Sequence, residues 1–194
     1  MVNIDQIKQL RKETGLAISE CKKVLTESGG NIEKAKEILR KWGCNFARKI
    51  GERATTQGII ESYIHPNRKI GALLDIRCES DFVAKSEDFR NLAHELCLQI
   101  AAMNPLFLKA EDIPEKFLDG ERKIYRKQFS ESGKPQKIIN EIVEEKLKKY
   151  KEEISLLSQP WIKDESKTIK DLISEHIAKL GENIVVKSFA RYEI

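Results

Sequence analysis

Few side chains in this sequence have the types that covalent or metal chemistry needs, and their spacing argues against such chemistry. His65 closes a predicted strand. His94 falls on the polar side of a helix whose apolar side is Phe89, Leu92, Ala93 and Leu96, and His176 sits similarly beside Ile173 and Ile177. Cys21, Cys44, Cys78 and Cys97 form no CxxC pair, and no histidine completes a zinc pattern. Reduced, mostly buried thiols are the simplest reading. The carboxylates are numerous but scattered, so no general acid/base pair emerges. No glycine-rich phosphate loop, nucleophile elbow or HExxH occurs. The expectation is a binding protein with no catalytic residue, no metal ligand and no cofactor.

One short stretch has a different character. Ser80-Asp81-Phe82-Val83-Ala84 sets an acid beside a large aromatic where the chain must turn between a strand and a helix. Two readings compete there. Phe82 can tuck into the core while Asp81 caps a turn, which pattern alone favours. Alternatively, the pair stands out as an anion and an aromatic wedge, the kind of group that forms an interface hot spot.

The elements that must position this stretch are legible. Ile4, Ile7 and Leu10 keep helical spacing up to Thr14-Gly15. Ile18, Cys21, Val24 and Leu25 mark a second helix, and Ile32, Ala35, Ile38, Leu39 and Trp42 a third. Between them Ser28-Gly29-Gly30 stops one helix and Asn31 caps the next. So small a bundle buries little and leans on a neighbour or partner. After Gly51 the period changes to two. Residues 57–65 and 70–78 read as strands joined by Pro66-Asn67-Arg68-Lys69, with Ile70, Ala72, Leu74, Ile76 and Cys78 on one face. Ser86 caps a helix carrying Phe89 to Ala101, and Pro105 follows it. A looser helical region broken by Pro114 comes next, then a break at Gly133-Lys134-Pro135. A long amphipathic helix is expected over 136–157, ended by Pro160-Trp161. Thr168 to Leu180 reads as the last helix, stopped by Gly181, and 183–194 as a strand that must pair with the earlier hairpin. The fold class is α+β: a three-helix N-terminal module over 1–51, then a core over 52–194 with a small three-stranded antiparallel sheet covered by helices on one face.

Composition narrows the partners. Lys and Arg exceed Asp and Glu by four in 194 residues, and the signs interleave, as in Glu144-Glu145-Lys146-Leu147-Lys148-Lys149. Such a face is ordinarily a solvated helix, and without a contiguous basic stripe no direct nucleic-acid contact is expected. The slight basic excess and the lysine-rich helices keep a translation-associated RNA-binding protein as the alternative. No apolar run reaches a membrane span and no secretory signal opens the chain, so a cytoplasmic protein with no membrane partner is expected.

The run Arg77-Cys78-Glu79-Ser80-Asp81-Phe82-Val83-Ala84-Lys85 resembles the signature of the elongation factor Ts family, where a threonine usually stands at Ser80. Residues 10–23, Leu-Arg-Lys-Glu-Thr-Gly-Leu-Ala-Ile-Ser-Glu-Cys-Lys-Lys, resemble its second signature, with Ala17 and Ser19 where the family commonly has glycine and methionine. Tyr63-Ile64-His65-Pro66, Ala101-Ala102-Met103-Asn104-Pro105, Gln159-Pro160-Trp161-Ile162-Lys163-Asp164 and Gly181-Glu182-Asn183-Ile184-Val185-Val186 are also similar. The resemblance covers the chain in order. It implies an N-terminal module like ubiquitin-associated domains. It also implies a non-enzymatic exchange factor that binds elongation factor Tu and frees its GDP by perturbing a magnesium site. The stretch Ser80, Asp81, Phe82 and Val83 would enter the partner. Arg11, Ile18, Ser19, Lys22 and Lys49 would grip it, with a weaker contact where Ser19 replaces methionine. Longer members have two sheet-bearing halves, so this chain, with room for one, is expected to pair as a homodimer. The resemblance turns Phe82 from buried to exposed.

Overall fold

The computed structural model describes residues 2–130 and 135–194. Helices α1 (Ile4–Thr14), α2 (Ile18–Glu27) and α3 (Ile32–Ile50) come first. The side chain of Asn3 accepts the Asp5 amide at the start of α1, and Gly15 closes that helix in the left-handed region at φ 70°. Asn31 caps α3 by accepting the Lys34 amide at 3.0 Å. Leu10, Cys21, Val24, Leu25 and Ala35 are sealed between the three helices. α3 outruns its stripe. Its second half lies on a later helix, α8 (Ile169–Leu180), where Gly43 lets the backbones approach: a Cβ there would come within 3.3 Å of the Ser174 carbonyl oxygen. Ala47 and Ile50 already belong to the second, larger core.

That core is built on strands β1 (Gln57–Ile64), β2 (Ile70–Cys78) and β5 (Val185–Glu193), antiparallel in the order β1-β2-β5. The last strand pairs with the hairpin, as its β-branched and aromatic run requires. Ala72, Leu74, Ile76 and Cys78 are buried beneath α5 (Glu87–Met103), which contributes Phe89, Leu92, Ala93, Leu96, Cys97 and Ile100. Ser86 caps α5 by accepting the Phe89 amide. The opposite sheet face is open; Ile60, Ile64 and Tyr192, which are 64%, 63% and 70% exposed, and Leu73 share it with the Asp75–Arg77 ion pair. The four thiols are free, Cys21, Cys78 and Cys97 buried and Cys44 half-buried. Burial pushes Cys78 up to about 11 and Cys97 up to about 12.

Two boundaries differ from the sequence reading, the end of the long helix and the hairpin that follows it. Pro114 breaks the looser helical region as expected: it separates a 3-10 turn (Ala110–Asp112) from α6 (Glu115–Ser130), its carbonyl accepting the Phe117 amide at 2.9 Å. Gly133 and Lys134, read as a break, lie outside the described residues. α7 (Gln136–Ile154) stops three residues early. There the Leu156 and Leu157 amides turn to the Phe107 and Leu108 carbonyls at 2.9 and 3.1 Å, so tertiary hydrogen bonds override the helical period. A small hairpin, β3 (Pro160–Trp161) with β4 (Asp164–Thr168), fills the gap before α8. Its polar run carries no alternation to read.

Gln99 pins this hairpin to α5. It is fully buried; its Nε2 donates to Gln159 Oε1 and the Pro160 carbonyl, both at 3.1 Å, and its Oε1 accepts the Ile162 amide at 3.0 Å. Gln99→Leu leaves these groups buried and unpaired, a cost of about 2 kcal/mol. The melting temperature is expected to fall by about 6 °C in a thermal scan.

Candidate functional site

The Ser80 stretch is a turn of helix, α4 (Asp81–Lys85), wedged between β2 and α5. Ser80 caps it: the backbone is extended there, and the hydroxyl oxygen accepts the Val83 amide at 3.2 Å. The same hydroxyl donates to Glu182 Oε1 at 2.6 Å, and the Ser80 amide donates to Glu182 Oε2 at 3.0 Å. Val83 and Ala84 turn into the core. One turn of helix then leaves Asp81 and Phe82 on the outside. Phe82 is 82% exposed. The pattern-only reading, Phe82 inside with Asp81 as cap, is therefore corrected: Val83 takes the inward place, and Ser80, not Asp81, caps. Lys85 lies 2.7 Å from Asp81 and holds its carboxyl below the usual carboxylate range.

Of the second group, Arg11, Ile18, Ser19, Lys22 and Lys49 are all exposed. Ser19 and Lys22 line a shallow hollow on α2, completed by Lys23, Thr26, Glu27 and Trp42. The Lys23 ammonium sits 4.8 Å from the Trp42 ring centre. Trp42, read into the core stripe, packs half-buried against the small core and also forms a wall of this hollow. Glu182 was also missed as a site residue. Its signal was present, because it falls in the Gly181-Glu182-Asn183 segment already noted as similar.

His94 is exposed, as its helix face predicts, but His176 is not on a solvated face. It is half-buried in the cleft between α1, α3 and α8, with Nδ1 2.9 Å from the Leu172 carbonyl oxygen. Burial pushes its imidazole below its ordinary value. Above a pH of about 6.5, folded and unfolded chains both hold it neutral. Below that, the unfolded chain takes up the proton first, so stability is lost as pH falls toward the folded value. Denaturant titrations from pH 7 to 5 are expected to show this slope in wild type and a shallower one in His176→Gln.

Among the described residues, no helix is long and apolar enough to cross a membrane. The fold and site define a small α+β protein that offers an aromatic-tipped turn to solvent from a firm base. The family model for elongation factor TS matches residues 5–194. An elongation factor Ts from Coprothermobacter proteolyticus is 50% identical over 193 residues, spanning 100% of this chain and 98% of the relative. One from Thermotoga petrophila is 50% identical over 193 residues, with 96% of the relative covered, and one from Herpetosiphon aurantiacus is 46% identical with 98% covered. The chain belongs to the elongation factor Ts family, the translation elongation factors of that name.

Proposed function

We propose that this protein binds elongation factor Tu and promotes GDP release by perturbing its magnesium and phosphate site, through binding alone. The observation that carries the reading is Phe82, a large apolar ring held in water at the tip of a capped turn. Exposing such a ring is unfavourable unless a partner covers it. Magnesium tolerates little distortion of its octahedral shell, so a wedge that shifts the supporting loops weakens the nucleotide. Linkage makes the effect reciprocal: nucleotide loosens this protein by the same factor. Arg11, Ile18, Ser19, Lys22 and Lys49 supply the second grip, in a module of residues 1–51 carried by a core of 52–194. The cytoplasm is its proposed compartment. The direct test is GDP release from elongation factor Tu with substoichiometric protein added. Release no faster than the spontaneous rate overturns the proposal.

The open sheet face supports a homodimer. Ile60, Ile64, Leu73 and Tyr192 together form an apolar surface of the kind a second copy covers. Sedimentation is expected to give twice the chain mass for wild type and a single-chain mass for the Ile60→Lys/Tyr192→Lys double variant. A monomeric wild type at micromolar concentration refutes the pairing.

A further inference from the structure

We propose that Glu182 is the positioning residue for the Phe82 wedge, and that Asn183 beside it ties the same turn to the end of α3. The inference rests on the exchange-factor reading above.

A five-residue helix cannot hold its own shape, because nucleation costs more than one turn returns. α4 is held from outside. Both donors of Ser80, amide and hydroxyl, go to the Glu182 carboxylate, 102 residues away in the chain. Such charge-assisted bonds are the strong ones. With its proton committed to Glu182, the hydroxyl turns a lone pair to the Val83 amide, so the carboxylate also orients the cap. The cap in turn determines that Val83 goes inward and Phe82 outward.

Asn183 extends the hold. It is almost fully buried, and its amide donates to Glu79 Oε1 at 2.7 Å. Its Nδ2 donates to the Gly51 and Arg53 carbonyls at 3.1 and 2.9 Å. Arg53 closes the ring by pairing with Glu79 at 3.5 Å. Three segments, 51–53, 79–80 and 182–183, are thus clasped at one point. The wedge and the end of α3, which bears Lys49, share it.

The test titrates wild type, Glu182→Gln, Ser80→Ala, Ser80→Thr and the Glu182→Gln/Ser80→Ala double variant against elongation factor Tu loaded with fluorescent GDP. Maximal release rate and half-saturating concentration are read separately, with melting temperature alongside. Glu182→Gln is expected to lower the maximal rate about tenfold while moving the half-saturating concentration less than about twofold. Ser80→Ala is expected to lose a similar factor, and the double variant no more than either, because both break one unit. Ser80→Thr keeps the hydroxyl and is expected to retain more of the maximal rate than Ser80→Ala. A folded Glu182→Gln with the wild-type maximal rate overturns the proposal, as do losses that multiply in the double variant. If Glu182→Gln does not fold, Ser80→Ala decides: a wild-type maximal rate there overturns the brace. Failure of the underlying reading looks different. Wild type would then not accelerate release, or Phe82→Ala would match it, and the brace would fall with the wedge.

Discussion

Phe82→Ala is expected to slow GDP release from elongation factor Tu by about 30-fold or more, the effect of removing a hot-spot aromatic worth about 2 kcal/mol. The fold makes the experiment clean. Phe82 is 82% exposed, whereas its neighbours Val83 and Ala84 are buried. Truncating it removes surface from water rather than leaving a cavity, so the melting temperature is expected to stay within about 2 °C of wild type. The cap at Ser80 and the bond from Ser86 Oγ to the Val83 carbonyl at 2.7 Å do not involve the ring and persist. Loss of rate with stability retained assigns the ring to the partner. Equal release by both proteins refutes the wedge. Leucine at the same place is expected to recover part of the rate, since it keeps apolar bulk without the flat ring.

Gly58→Ala is expected to cost about 4 kcal/mol, from forced positive-φ strain and overpacking together, and to lower the melting temperature by about 12 °C. Gly58 lies in β1 at φ 156°, opposite Arg77. A Cβ built there collides with the Ile76 carbonyl oxygen and meets the Arg77 Cα at 2.8 Å. Both are backbone atoms of the central strand, so no side chain can swing aside. The strand itself must move, and Cys78, whose thiol donates to the Ser80 carbonyl at 3.1 Å, moves with it. Chemical denaturation measures the first effect. A variant of wild-type stability refutes the clash.

Much of this architecture can be read from residue types. Period-two burial in β2 and 3.6-residue burial in α5 identify the sheet and the helix that covers it. Asn31 and Ser86 cap where short polar side chains before apolar runs are expected to. What could not be read had non-local causes. The chain leaves α7 at Ser155 because Phe107, far back in the chain, donates to the Ile154 carbonyl and accepts the Leu156 amide. His176 looks like a surface residue on its own helix, and the packing of elements distant in sequence, α3 and α5, against α8 takes it partly out of water. At the candidate site, pattern located the stretch but misjudged which residue went inward. Val83 and Phe82 are both apolar, and the choice between them is made by the Ser80 cap and by Glu182, a carboxylate with no local signature. The family resemblance corrected Phe82 because it carries that long-range information in a few ordered residues.

α3 runs without interruption from the small N-terminal core into the larger one. Its first half seals the three-helix bundle and its second half lies on α8, while Arg40 at the middle donates to the Ser166 carbonyl of β4 at 3.0 Å. Two binding surfaces joined by a flexible tether must each find their target, and the second search is limited by the effective concentration the tether allows. A continuous helix abolishes that search. On the proposed function, engagement of one surface would bring the other to a set distance and angle, with its orientational entropy already surrendered during folding. Such a molecule gains speed and avidity only toward a partner of matching geometry. A partner whose two contact patches move apart sheds both together, as a ratchet releases a rigid pawl.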